Sequence, residues 1–170
     1  RGDGHHDDDH DGKADRVDRK LVWMETTANY PHNGVSGLAF DKEGGVYFGV
    51  GENLGANYVL TGSDGSKCFF NGEGGSVYHI NKDGGQLRRV ATGFWNPWGV
   101  CCDSHGNVFA TDNDPDSRPP CRLHHVIEGG NYGYEFRYGR SGLHPFQSWF
   151  GELPGTLPMI SGIGEAPCDV

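Results

Sequence analysis

Residues 94–134, FWNPWGVCCDSHGNVFATDNDPDSRPPCRLHHVIEGGNYGY, decide the fold, because they hold the second copy of a β-hairpin unit and an acidic, proline-containing loop which that unit does not need. The first copy is Gly37-Leu-Ala-Phe-Asp41-Lys-Glu-Gly44-Gly-Val-Tyr-Phe48 and the second is Gly99-Val-Cys-Cys-Asp103-Ser-His-Gly106-Asn-Val-Phe-Ala110. Both read Gly, apolar residues, Asp, Gly after two intervening residues, then a Val-aromatic step. Their offset is 62 residues, the size of a propeller blade with an inserted loop. In each copy an apolar run meets a turn, Asp41 to Gly44 or Asp103 to Gly106, and reverses into a second β-rich run, which is a hairpin signal. Glycine closes the turn because it takes positive φ without a Cβ clash.

A third hairpin is predicted from Gly75–Ile80 through a turn at Asn81–Gly84 into Leu87–Thr92. At the N-terminal end, Asp11-Gly12 is expected to turn into one strand spanning Arg16–Trp23. No segment of ten or more residues sustains a 3.6-residue apolar period, so helix should be scarce. Composition agrees: 29 glycines in 170 residues, against an average share near 7%, and 9 prolines describe a chain dense in turns. The glycines lack a three-residue period, which excludes collagen, and 12% aromatic residues argue against disorder. The expected fold class is all-β, about three blades of a β-propeller. Radial repetition shields the strand edges that an isolated sheet would expose. Residues 1–20 are expected to form an acidic segment leading into the first strand, and residues 21–170 a partial propeller. Propellers close with about 4 to 8 blades, so the chain is expected to be a fragment of a longer one. A self-contained three-sheet β domain is the alternative.

The formal charge of −9, gathered in the first 18 residues and in the 112–116 loop, disfavours nucleic acid and anionic membrane surfaces as partners and favours cations. No apolar stretch of 18 residues offers a membrane span. The five cysteines, Cys68, Cys101, Cys102, Cys121 and Cys168, lack C-x-x-C spacing, which leaves zinc ribbons and thioredoxin chemistry without support. Cys101 and Cys102 are neighbours on one expected strand, point to opposite faces and read as packing thiols.

Three constellations carry candidate chemistry. In Asp7-Asp-Asp9-His-Asp11-Gly12-Lys-Ala-Asp15, alternating carboxylates precede a glycine. Asp7, Asp9, Asp11 and Asp15 are therefore candidate ligands for Ca²⁺, which takes six to eight oxygens. Asp18 stands where an EF-hand loop has glutamate, and a solvated acidic tail is the alternative reading. In Thr111-Asp112-Asn113-Asp114-Pro115-Asp116-Ser-Arg118-Pro119-Pro120, carboxylates and a proline-fixed backbone can present oxygens to a cation, while Arg118 can pair with a carboxylate or hold an anion. The same residues are also ordinary turn vocabulary. His32, just ahead of the strand Val35–Phe40, is a candidate general base because its pKa lies near neutrality; a surface histidine is the alternative.

Gly93-Phe-Trp-Asn96-Pro-Trp-Gly99, the acidic loop, and Glu128-Gly-Gly-Asn131-Tyr-Gly-Tyr134 resemble the G-x-R-N-P-x-G, acidic Gly-Pro and G-x-N-Y-G-W series of the soluble quinoprotein glucose and sorbosone dehydrogenases. Those are six-bladed propellers that use pyrroloquinoline quinone (PQQ) and calcium. With Gly151-Glu-Leu-Pro-Gly-Thr-Leu-Pro158 added, the series more closely resembles planctomycete-type membrane-bound dehydrogenase proteins, in which such a propeller precedes a c-type cytochrome domain. The resemblance implies calcium at the carbonyls of the Asp114-Pro115 step. It implies cofactor contacts from Trp95, which replaces the family's Arg, and from Asn96. It implies His32 as base, one residue out of register, with Asn33 at the matching place. The expectation is part of a periplasmic or extracellular PQQ-dependent dehydrogenase acting on a small sugar or alcohol. A non-catalytic propeller binding glycan or protein through the same face competes with it. A calcium-stabilised structural module is the third reading.

Overall fold

A computed structural model of the chain describes residues 5–6, 11, 16–17, 22–28 and 34–170. The two hairpin copies are realised with the expected offset. Strand β4 (Val35–Phe40) pairs with β5 (Val46–Val50), and β10 (Asn96–Cys102) pairs with β11 (Val108–Asn113), all antiparallel. Their turns are built alike. The Asp41 Oδ1 accepts the Glu43 and Gly45 amides at 2.8 and 2.7 Å, and the Asp103 Oδ1 accepts the His105 and Asn107 amides, both at 2.8 Å. Asn81 repeats the arrangement with Asp83 and Gly85 between β8 (Gly75–Ile80) and β9 (Arg88–Phe94), which confirms the third hairpin. A short acceptor side chain thus satisfies two turn amides without help from elsewhere in the molecule, so each reversal is encoded locally.

The material between the copies is not a plain loop. After β5 the chain forms the hairpin β6 (Tyr58–Gly62) and β7 (Lys67–Phe70), and β6 pairs with β3 (Val22–Thr26). It then returns to place β8 beside β5, giving one sheet in the order β4-β5-β8-β9 and another in the order β3-β6-β7. The third sheet runs β10-β11-β12-β13, where β12 is Cys121–Val126 and β13 is Ser161–Ile163. Of the strand expected over Arg16–Trp23, the described residues show its two ends: β2 (Arg16–Val17) pairs with β1 (His5–His6), and Val22–Trp23 belong to β3, while residues 18–21 lie outside the described residues. Beyond these strands the described residues include one 3-10 turn, Phe136–Tyr138.

Strand β8, inside the central sheet, is buried on both faces, so its alternating side chains enter two different layers. Val77 enters an apolar layer with Val90, Phe94, Val100, Val108 and Val126 against the third sheet. Tyr78 and Ile80 enter a second layer with Phe48, Val50, Tyr58 and Leu60 against the first. Each such side chain contributes about 1.5–3 kcal/mol when fully buried. The one polar pair in the second layer is satisfied internally, the Tyr58 and Tyr78 hydroxyls lying 2.7 Å apart. Glycine sets the approach of the third sheet: a Cβ at Gly49 would lie 2.1 Å from the Pro97 carbonyl oxygen. That approach brings β10, with Trp95 just ahead of it, to one rim of the stack.

Candidate functional site

At that rim β11 and β12 place Asp112 directly opposite Arg122, and both side chains are fully buried. The Arg122 guanidinium donates to Asp112 Oδ2 at 2.5 Å and to the carbonyls of Tyr132, Trp149 and Gly93 at 2.8, 3.1 and 3.2 Å. It also lies 3.4 Å from the Trp149 ring centroid. The other Asp112 oxygen accepts the Trp95 and Asn96 amides at 3.0 and 2.7 Å. The buried charges are paired and hydrogen-bonded, the only condition under which burial of charge is tolerated. Burial nevertheless raises Asp112 above the ordinary carboxylate value, against the opposing pull of Arg122. His124, two residues along β12, is fully buried between Phe94 and Tyr132, and neither ring nitrogen has a hydrogen-bond partner. Burial, helped by the positive Arg122, holds it neutral and well below the usual histidine value.

The Glu-Gly-Gly-Asn-Tyr-Gly-Tyr segment packs against this keystone. Its Tyr132 and Tyr134 amides donate to the Thr92 and Gly93 carbonyls at 2.8 and 2.9 Å, and the Asn131 side chain accepts the Gly133 amide at 2.9 Å. Glu52 closes the other flank. Its amide donates to the Trp95 carbonyl at 2.7 Å, and its buried carboxyl accepts the Gly55 and Gly74 amides at 2.9 and 2.5 Å. Burial outweighs those two donors and pushes the Glu52 carboxyl up to about 7.

Above the keystone opens a cleft of about 400 Å³ lined by Trp95, Asn96, Trp98, Asn113, Asp114, Asp116 and Arg140 and closed on one side by residues 166–168. The Trp98 indole is 40% exposed on its wall. Asp116 pairs with Arg140 at 2.9 Å. The single Cys121 S–H is shared between Asp114 Oδ1 at 3.0 Å and Asn113 Oδ1 at 3.1 Å from the sulfur. Burial, reinforced by the Asp114 hydrogen bond, pushes that thiol up to about 11.

Of the residues singled out from the sequence, Trp95, Asn96 and Asp114 meet in this cleft. Asp112 lies beneath it, turned to Arg122 and the backbone. Pro115 is buried, and its carbonyl accepts the Arg118 amide at 2.9 Å and the Ser117 amide within its own turn. Arg118 is committed to the Gly142 and Gln147 carbonyls at 2.8 and 3.0 Å and to Glu152. Trp95 is only 4% exposed, edge-on to Tyr134 at 5.1 Å. Asp11 is exposed, while His32, Asp7, Asp9 and Asp15 lie outside the described residues. Among the described residues no three His, Cys, Asp or Glu side chains converge as a metal site. No described helix is long and apolar enough to cross a membrane.

Sequence reasoning passed over Arg122, His124, Glu52, Arg140 and Trp98. The signal for the first two was available: Arg122 and His124 sit at alternate positions in a short strand that ends in the apolar Val126, and β11 carries an acid in an otherwise uncharged run.

The fold is that of a partial propeller. A solved structure described as "glucose dehydrogenase" matches with a TM-score of 0.59 at 19% identity, over 94% of this chain and 47% of that one. A second, "Crystal structure of glucose dehydrogenase", matches with a TM-score of 0.44 at 20% identity, over 73% of this chain and 38% of that one. The chain thus spans about half the length of the first structure. A comparison with curated proteins finds no match. Residues 5–138 match the family model described as "Domain of unknown function (DUF7133)", and the chain belongs to that family.

Proposed function

We propose that the cleft binds a small polyhydroxylated molecule, a sugar or sugar alcohol, and that the chain is the ligand-binding part of a glucose-dehydrogenase-like propeller. The observation that carries this reading is the exposed Trp98 face set beside Asn113, Asp114, Asp116 and Arg140 in one cleft. Sugars present apolar C–H faces that pack on aromatic rings and hydroxyls that both donate and accept. Here Trp98 supplies the ring, the two carboxylates accept hydroxyl protons, and Arg140 donates.

The oxygens of Asp114, Asp116 and Asn113 are the hard donors that suit a calcium ion, with water completing the six to eight ligands it takes. Calcium bound there would orient hydroxyl oxygens. PQQ, which accepts hydride when bound, does not fit these residues. Its three carboxylates would face Asp114 and Asp116, and the cleft's guanidinium, Arg140, is already paired with Asp116. The likeness of fold to a glucose dehydrogenase nevertheless favours a second reading: oxidation of the bound hydroxyl in a periplasmic or extracellular full-length protein, with His32 as base and a c-type cytochrome domain as electron acceptor.

Titration calorimetry of the full-length protein against a panel of aldoses and alditols, with and without Ca²⁺, tests the first reading. Binding that Trp98→Ala weakens supports it, and no heat from any polyol overturns it. Dye reduction over the same panel by the full-length protein as isolated tests the second; binding without turnover leaves the first standing alone.

A further inference from the structure

Every arginine whose side chain is described pairs with a described carboxylate except Arg89. Arg89 stands on β9, at the edge of the central sheet, near Phe70, which ends β7 at the edge of the first sheet. Its guanidinium carbon lies 4.4 Å from the Phe70 ring centroid. Stacking on a ring fixes the plane of a guanidinium and leaves its N–H edges open to an acceptor. Both residues line a hollow of about 210 Å³ between the two sheet edges and the 131–137 segment, and this hollow shares no lining residue with the Trp98 cleft. Two carboxamides line it as well. The Asn131 oxygen accepts the Gly133 amide at 2.9 Å, and a Cβ at Gly93 would lie 2.4 Å from that oxygen, so the glycine makes room for it. The Asn71 oxygen accepts the Glu73 amide at 3.3 Å. With both oxygens spent on the backbone, the two NH₂ groups remain as donors. The acceptors of the hollow are already engaged: Glu73 takes the Arg137 amide at 2.7 Å, and Glu135 takes the Arg137 Nε at 2.6 Å.

We propose that this hollow binds a small free monocarboxylate, its two oxygens held by the Arg89 guanidinium and by the amide groups of Asn71 and Asn131. A carboxylate is the planar acceptor that matches the guanidinium fork with two parallel N–H···O bonds. Charge selects the monoanion. Arg89 and Arg137 only balance Glu73 and Glu135, so a dianion such as phosphate would enter beside two carboxylates with no surplus of positive charge to offset them. Size selects a small acid, since drug-sized ligands take pockets of roughly 300–1,000 Å³.

This site stands whether or not the Trp98 cleft binds a polyol, and its test needs no sugar. Saturation-transfer NMR of the full-length protein at low ionic strength uses propionate as the probe and propionamide, of the same shape without the charge, as the control. Transfer to the propionate methyl protons is expected, and none to propionamide. Arg89→Gln should weaken propionate binding about tenfold or more, the loss expected when a charged hydrogen-bond donor is removed. Arg89→Lys, which keeps the charge without the fork, should recover only part of it. Arg89 is exposed, so both variants should melt at the wild-type temperature. Absence of transfer to propionate, equal transfer to propionamide, or propionate binding that survives Arg89→Gln would overturn the proposal. So would inorganic phosphate that displaces propionate at concentrations below the propionate Kd.

Discussion

Glu52 should make the protein lose stability as pH rises toward neutrality, and Glu52→Gln should abolish that loss. The carboxyl is fully buried, held by the Gly55 and Gly74 amides, and raised from the ordinary 4.5 to about 7. A raised carboxyl binds its proton more tightly in the folded chain than in the unfolded one. Between pH 4.5 and 7 the folded state therefore carries more protons, and the free energy of unfolding falls with pH. The full contribution is present below the unfolded value and gone above the folded one. The displacement is about 2.5 pH units, and at 1.36 kcal/mol per unit it amounts to roughly 3 kcal/mol. Glutamine keeps the shape and one acceptor but never ionises. It gives up at most one hydrogen bond, about 1 kcal/mol. Urea unfolding followed by tryptophan fluorescence at half-unit steps from pH 4.5 to 8 should place the variant within about 1 kcal/mol of wild type at the acid end. At pH 8 it should be more stable by about 2–3 kcal/mol. Taking the difference between the two proteins removes every other titrating group. A difference that stays level across this range would refute the reasoning, because a carboxyl that ionises without cost is not desolvated.

His124 works in the opposite sense. Folded, it stays neutral far below 6.5 while the unfolded chain protonates there, so it lowers stability as pH falls beneath 6.5; His124→Leu should flatten that acid limb in the same urea series. Arg122→Met strands a buried Asp112 and leaves the Gly93, Tyr132 and Trp149 carbonyls without their donor. It should cost about 3–5 kcal/mol, and adding Asp112→Asn should recover part of the loss, read as a non-additive double-mutant cycle. Trp98→Ala should weaken polyol binding about tenfold in calorimetry with little change in melting temperature, because its indole is already 40% exposed. Trp95→Ala, at a side chain packed among Tyr134 and Trp149, should instead destabilise by about 3–5 kcal/mol.

The hairpins were legible because their chemistry is local. Asp41, Asn81 and Asp103 each cap two amides within four residues, and no distant contact is needed to specify the reversal. What the 62-residue offset left hidden is the destination of the intervening chain. That β6 joins β3 is decided by apolar faces, Val22 and Met24 with Leu60 and Tyr58, which meet only once the central sheet exists to pack against. The two described ends of the segment Arg16–Trp23 likewise pair with different partners, His5–His6 and Tyr58–Gly62, which nothing in the sequence of the segment announces. Alternation of side chains gives the faces of a strand, not the identity of its neighbour.

The acidic loop shows how far composition alone misleads about a site. Read in sequence, Asp112, Asp114 and Asp116 are three carboxylates within five residues, a natural place for a strongly held cation. Folded, they have three different partners. Asp112 is neutralised beneath the cleft by Arg122, Asp116 is paired with Arg140 on its wall, and Asp114 accepts a hydrogen bond from the Cys121 thiol. Counting the groups that line the cleft leaves Asp114 as the one carboxylate without a cationic partner. A cleft so nearly neutral repels a polyanion less than the loop's composition implies, yet it lacks the fixed positive charge that would draw one in. The calcium proposed for it would meet few charged ligands, which places the expected affinity at the weak end, about 10⁻⁴ to 10⁻³ M. A neutral polyol asks for neither charge. It needs an exposed ring and directed donors and acceptors, and Trp98, Arg140 and Asp114 supply those from three separate segments of the chain.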